Sequence, residues 1–296
     1  MKDILVTGGT GQVGQSLQRG AAPEDFRFIA PGRDALDLMR PETFAGVIAS
    51  RPWAAIINAG AYTAVDKAES DVETAWRVNA LAPAVLAREA ALAGVPLVHV
   101  STDYVFSGQS ARPYVEDDPV APLGVYGASK EAGEQGVRTG GGRAVIVRTS
   151  WVVSPFGNNF IKTMLRLGAE REVLRVVADQ QGAPTSAVDL AGALAKIACA
   201  LASDPSAPTG TLHFSNAGAT NWAEFAAEIF RLSAARGGPG ARVEPITTAD
   251  YPTPARRPAY SRLATDRIAS LYAIAPRPWQ AAISDIIDEL IPSRAS

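Results

Sequence analysis

Short, almost wholly apolar runs recur along the first half of the chain, each followed by a longer amphipathic stretch. They are 4–7 (Ile-Leu-Val-Thr), 26–30 (Phe-Arg-Phe-Ile-Ala), 55–59 (Ala-Ile-Ile-Asn-Ala), 96–101 (Pro-Leu-Val-His-Val-Ser) and 144–148 (Ala-Val-Ile-Val-Arg). Helical patterns fill the intervals near 12–22, 41–50, 71–94 and 127–139. A strand covered on both faces reads as a continuous apolar run, and parallel neighbours need crossovers of about this length. The alternation predicts an α/β fold with a parallel sheet between two helical layers. A further strand is expected at 174–177, and helices at 187–202, 221–235 and 278–290. Proline and glycine gather at 203–210, 237–240 and 253–258, marking turns between shorter elements. The expected division is a core over 1–150, with parts of 180–210 and 211–235 interleaved, and a smaller α/β substrate-binding region over most of 151–296.

The first strand runs directly into Thr7-Gly8-Gly9-Thr10-Gly11-Gln12-Val13-Gly14, which opens a helix. Gly8, Gly11 and Gly14 have the spacing that lets backbone approach a pyrophosphate seated on a helix N-terminus. At the first β-to-α junction this predicts a Rossmann-type, doubly wound dinucleotide-binding sheet, with Gln12 and Val13 in the turn. An acidic residue after the second strand would select a free ribose 2′-hydroxyl. Here the strand meets Pro31-Gly32-Arg33-Asp34. Arg33 suits a 2′-phosphate, or it is a solvated loop arginine beside Asp34. The preference is for NADPH, with NADH as the alternative. Asp37 and Leu38 would border the adenine. Ala59, Gly60 and Ala61 either let the cofactor lie across the third strand or simply end it.

Tyr126 and Lys130 lie four residues apart in Tyr-Gly-Ala-Ser-Lys, so a helix presents both on one face. Many solvated helices carry such a pair. An ammonium beside a phenol favours the phenolate and would lower its pKa toward the range useful for proton transfer. Ser101-Thr102-Asp103-Tyr104 leaves the fourth strand at the edge where parallel sheets bind ligands. A Thr102 hydroxyl there can bond a substrate oxygen and Tyr126; alternatively the segment is an ordinary Asp/Thr turn.

With these residues assembled, the chain resembles the extended short-chain dehydrogenases, and within them the dTDP-4-dehydrorhamnose reductase family. The resemblance runs from about residue 3 to 290. It rests on Gly11–Gly14, 58–69 (Asn-Ala-Gly-Ala-Tyr-Thr-Ala-Val-Asp-Lys-Ala-Glu), 101–106, 148–152, 179–185 and 257–261. It implies reduction of the C4 keto group of dTDP-4-dehydro-L-rhamnose by NADPH. Tyr126 would be the proton donor, Lys130 the holder of the nicotinamide ribose, and Thr102 the residue orienting the C4 oxygen. Gly11, Gln12 and Val13 would form the pyrophosphate turn, Asp37 and Leu38 the adenine edge, and Ala61, Tyr62 and Thr63 a cofactor wall. Val65, Asp66, Glu69, Asp103 and Trp151 would line the substrate pocket, and Arg257 would meet the nucleotide pyrophosphate. Dehydratase relatives carry an acidic residue after the Thr-Asp pair; Tyr104 stands here, which favours net reduction. Some relatives bind magnesium through carboxylates at a dimer contact, but the first helix offers Gln15 and Ser16, so magnesium is doubtful. A homodimer is compatible with the resemblance. The rival readings are a reductase or epimerase of another nucleotide sugar, and a non-catalytic regulatory subunit of the same fold.

Composition narrows the partners. Lys and Arg total 28 against 30 Asp and Glu, a net charge of −2 that gives no support for nucleic acid or a membrane surface. Cys199 is the single cysteine, expected as an inert packed thiol. No His/Cys cluster has metal spacing, and His99 and His213 are expected to be satisfied structural residues. Met1-Lys2-Asp3 leads straight into an apolar strand without a charged leader, and no apolar run reaches membrane-spanning length, so a cytoplasmic protein is expected.

Overall fold

The apolar runs form adjacent parallel strands in the computed structural model, which describes residues 1–20 and 22–292. They are β1 (Lys2–Thr7), β2 (Phe26–Ile29), β3 (Trp53–Asn58), β4 (Leu97–Thr102) and β5 (Ala144–Thr149). Gly210–His213 adds the last strand, and the six lie in the order Gly210–His213, β5, β4, β3, β1, β2. Every pairing in this sheet is parallel. From β1 the chain passes to β2 on one side and then returns to β3 on the other. That reversal opens a crevice at the carboxyl ends of β1 and β3, where open parallel sheets take their ligands. The glycine turn lies in it.

Helix α1 (Gln12–Arg19) and the Ala187–Ser203 helix cover one face, packing Leu17, Leu190 and Leu194 onto Ile4, Val6 and Ile57. The Ala82–Leu92 and Val125–Thr139 helices cover the other, with Leu86 and Val137 against Leu5, Ile56 and Leu97. The helix expected over 71–94 is broken into Val72–Trp76, a π-helical turn at Arg77–Leu81, and Ala82–Leu92. Pro83 explains the break. It has no N–H for the carbonyl four residues back, that of Asn79, so the turn widens.

A second core gathers around the Phe160–Glu170, Trp222–Ala234 and Trp279–Leu290 helices, with Ile161, Phe225, Ile229 and Ile283 fully buried. Beside it Val173–Val177 pairs in parallel with Arg242–Ile246. Between these segments the chain returns to the first core through Ala187–Ser203 and Gly210–His213. Among the described residues no helix is long and apolar enough to cross a membrane.

Candidate active site

The glycine turn is built for close backbone approach. Gly8 has φ +69°, and a Cβ there would stand 2.5 Å from the Gly60 Cα. A Cβ on Gly14 would stand 2.2 Å from the Gly8 carbonyl oxygen. Those contacts pack the start of α1 against β1 and bring Gly60, at the end of β3, beside the turn. Gly11 faces outward, its N–H bonded to the Gly8 carbonyl at 2.9 Å. Val13 is buried beneath. A cradle that any Cβ would fill, open on one side at a helix N-terminus, fits a dinucleotide pyrophosphate. Leu38 also reaches it, since a Cβ on Gly60 would come within 2.6 Å of Leu38 Cδ1. Asp37 turns its carboxylate to the Met39 N–H at 2.9 Å, fixing the loop that carries Leu38. Arg33 is exposed and forms no ion pair among the described residues.

The wall formed by Ala59, Gly60, Ala61, Tyr62 and Thr63 is held by Asn79. Its carboxamide accepts from the Tyr62 N–H (2.8 Å), donates to the Tyr62 carbonyl (3.0 Å) and donates to Ser129 Oγ (3.1 Å). Ser129 lies between Tyr126 and Lys130, so one buried side chain ties the wall to the helix of the candidate pair. Asn79 is absent from the expected site. Its signal was a lone amide within an apolar helical run, at the π-turn position such turns often occupy near functional sites.

Tyr126 stands one residue into the Val125–Thr139 helix, at the end of β4. Gly127 allows this placement, because a Cβ there would stand 2.2 Å from the Tyr104 carbonyl oxygen. Glu69 caps the helix by accepting the Val125 N–H at 2.8 Å. Glu69 is thereby committed to positioning the helix. Thr102 and Asp103 are buried, with the Thr102 hydroxyl donating to Asp103 Oδ1 at 3.0 Å. The Tyr104 ring meets the Tyr126 ring edge-on, centroids 5.4 Å apart.

The ionisation of the pair differs from the expectation of a lowered phenol pKa. Burial pushes Tyr126 well above the usual phenol value, the Thr102 hydroxyl only partly offsets it, and the nearby Asp103 adds to it. Lys130 turns its ammonium to the backbone of β4. Its ammonium donates to the Val100 carbonyl at 2.7 Å, and burial lowers it to about 8 against an opposing pull from Glu134. Burial thus sets the ionisation of the phenol, and the tyrosine is held as an acid. Burial also raises Asp103 to about 6, with Ser261 and Thr102 easing the cost.

Behind Lys130, Glu134 and Arg148 form a fully buried bidentate pair, with Arg148 Nη2 2.7 Å from Glu134 Oε2. Arg138 reaches the same oxygen at 2.6 Å. No motif announces this pair, because its members sit on different elements.

Trp151 follows β5 with φ +47°, a backbone conformation a tryptophan rarely adopts. Its indole stacks on Trp222, centroids 3.6 Å apart, and closes on Gly182. Arg257 donates to Asp66 Oδ2 at 2.7 Å and to the Tyr104 hydroxyl at 3.0 Å. Asp66 and Val65 sit on the short Val65–Ala68 helix. Of the expected substrate residues, Asp66 and Arg257 are joined through Tyr104 to Tyr126 at the crevice, beside Thr102 and Asp103, and Val65 shares the Asp66 helix. His99 and His213 lie outside the crevice. The Asn58 amide donates to His99 Nδ1 at 3.0 Å, and His213 Nδ1 donates to the Tyr114 carbonyl at 3.2 Å. Burial holds both neutral, His213 at about 3. Cys199 is half-buried, and burial pushes its thiol up to about 11.

Comparison with known proteins places this arrangement. The family described as RmlD substrate binding domain matches residues 1–291. A dTDP-4-dehydrorhamnose reductase of Sinorhizobium fredii is 42% identical over 289 residues, covering 97% of each chain. A dTDP-4-dehydrorhamnose reductase structure from Clostridium acetobutylicum superposes with a TM-score of 0.90 at 36% identity, covering 97% of this chain and 99% of that one. One from Bacillus anthracis in complex with NADP gives the same TM-score and identity, covering 98% and 100%. With the glycine cradle, the Tyr126–Lys130 helix and the Thr102 strand end in one crevice, the chain belongs to the dTDP-4-dehydrorhamnose reductase family.

Proposed function

We propose that this protein reduces the C4 keto group of dTDP-4-dehydro-L-rhamnose with NADPH, giving dTDP-L-rhamnose. The carrying observation is the convergence of Tyr126, Thr102 and the glycine turn on one crevice within a family of this activity. When bound, reduced nicotinamide supplies the hydride that goes to C4. Tyr126 gives its proton to the C4 oxygen as the carbonyl becomes an alkoxide, and solvent restores it. Its raised pKa suits this direction, since a donor must keep its proton until the oxygen becomes basic. Thr102 orients the same oxygen and stabilises its developing charge. Lys130, its ammonium anchored on the Val100 carbonyl, would hold the nicotinamide ribose. Asp103 and Trp151 grip the sugar, while Arg257 meets the pyrophosphate. The Tyr104 hydroxyl is occupied by Arg257 and brings no carboxyl for water elimination.

The guanidinium of Arg33, in the loop after β2 and without an ion pair among the described residues, supports NADPH over NADH through the 2′-phosphate. Residues 1–150 with 187–203 and 210–213 hold the cofactor, and most of the remaining C-terminal region holds the sugar. The same proposal includes a cytoplasmic setting and a homodimer, the latter open to light scattering.

NADPH absorbance decay with the keto-sugar tests the chemistry. Tyr126→Phe lowers turnover by about 10²–10⁴-fold while NADPH affinity stays unchanged. Turnover near wild type in that variant would sink the mechanism, and no decay in the wild type would sink the function.

A further inference from the structure

The Gln12 backbone belongs to the glycine turn, but its side chain points into the other half of the molecule. Gln12 Nε2 donates to the Val152 carbonyl at 3.2 Å. Its Oε1 accepts from Ser154 Oγ at 2.8 Å and from Asn159 Nδ2 at 3.1 Å. All three partners lie 140 or more residues away, on the 152–159 segment. Ser154 is fully buried. Asn159 also caps the Phe160–Glu170 helix by accepting the Lys162 N–H at 3.3 Å. From the same helix as Gln12, Arg19 stands over the Phe156 ring, 5.6 Å from its centroid.

The residue just before this segment is Trp151, held at φ +47°. A backbone in that region persists only where its surroundings fix it. The Trp151 carbonyl is fixed by the Thr185 N–H at 3.1 Å, and the next carbonyl, that of Val152, by Gln12. Gln12 is therefore shared between the loop that cradles the cofactor and the segment that aims Trp151.

We propose that the Gln12 carboxamide is a positioning residue through which occupancy of the glycine turn sets the 151–159 segment, so that bound cofactor organises the sugar pocket. This rests on the assignment of the turn to cofactor and Trp151 to sugar. A pyrophosphate that fixes the turn's N–H groups also fixes the Gln12 backbone, and with it the reach of its side chain. By linkage the effect is reciprocal: sugar that orders Trp151 tightens the turn on the cofactor.

Hydrogen–deuterium exchange on the full chain, with and without saturating NADPH, reads this directly and needs neither sugar nor turnover. In the wild type NADPH slows exchange at 8–14 and, by about tenfold, at 151–159. In Gln12→Ala the protection at 8–14 stays and that at 151–159 is lost. Ser154→Ala removes one of the three bonds to Gln12 without touching the turn, and gives a partial loss. The double variant loses no more than Gln12→Ala alone. NADPH-dependent protection of 151–159 that persists in both single variants, or is absent from the wild type, overturns the inference. A wild type that couples the two regions yet reduces no keto-sugar keeps the inference and overturns only the substrate assignment.

Discussion

Asp103 is 2% exposed, and its Oδ1 accepts the Thr102 hydroxyl at 3.0 Å. Burial raises its carboxyl from 3.8 to about 6. Between those values the folded protein binds a proton that the unfolded chain has released, so this group's contribution to stability falls as pH climbs toward 6 and stays low above it. Asp103→Asn removes the charge and keeps an acceptor for Thr102. It should raise unfolding free energy by about 2–3 kcal/mol at pH 7.5 and by little at pH 4, while lowering turnover. Urea unfolding of both proteins at the two pH values checks this; an equal difference at both would refute it. Residues of this kind were legible when chemistry demands a type at a fixed spacing. The Gly8–Gly11–Gly14 turn, Thr102 and Tyr126–Lys130 belong here. Asn79, Glu134 with Arg148, and the Gln12 side chain did not follow, since their roles depend on partners 14–147 residues away. Nor did the ionisation of Tyr126, because spacing reveals the lysine but not the depth of burial.

At the scale of the element, the Val125–Thr139 helix is set by glycines that admit backbone from elsewhere. A Cβ on Gly133 would stand 2.1 Å from the Asn79 carbonyl oxygen, the carbonyl that Pro83 leaves without its helical donor. Alanine in a helix interior gains about 1 kcal/mol over glycine, but here it meets backbone that cannot swing aside. Gly133→Ala should therefore destabilise by about 1–3 kcal/mol net and push Ser129 off Asn79, loosening the Tyr62 wall. Thermal unfolding with NADPH titration checks both; a melting temperature at or above wild type would refute the packing account. Five of the six strands of the main sheet were legible as mainly apolar runs, while Gly210–His213, four residues beginning in a proline- and glycine-rich turn, was not. The Phe160–Glu170 helix carries a readable signal too, Asn159 as cap before Phe160, Ile161 and Met164. The π turn at Arg77–Leu81 needed Pro83 and Asn79 taken together. The two-residue pairing of Val152–Val153 with Thr185–Ser186 is too short for any period to show.

Across the whole molecule, two cores meet at the crevice. The Asp66–Arg257 pair spans 191 positions of sequence, and the Ala255 N–H reaches the same carboxylate at 3.3 Å. The meeting of these loops was not predictable from either one; only the charge of Arg257 was. The Arg257 side chain is 26% exposed and that of Asp66 40%. A pair this open to water contributes about 0–1 kcal/mol to folding. Arg257→Met should therefore leave the melting temperature within about 3 °C of wild type. A nucleotide pyrophosphate offers the guanidinium a stronger, doubly charged partner than one carboxylate, through charge-assisted bonds worth about 1.5–3 kcal/mol. The same variant should raise the KM for the keto-sugar by about 10–100-fold, with NADPH affinity unchanged. Because screening weakens exposed charge pairs, added salt should raise the wild-type KM more steeply than that of the variant. An unchanged KM, or an equal loss of NADPH affinity, would show that Arg257 serves the junction between the two cores and not the nucleotide.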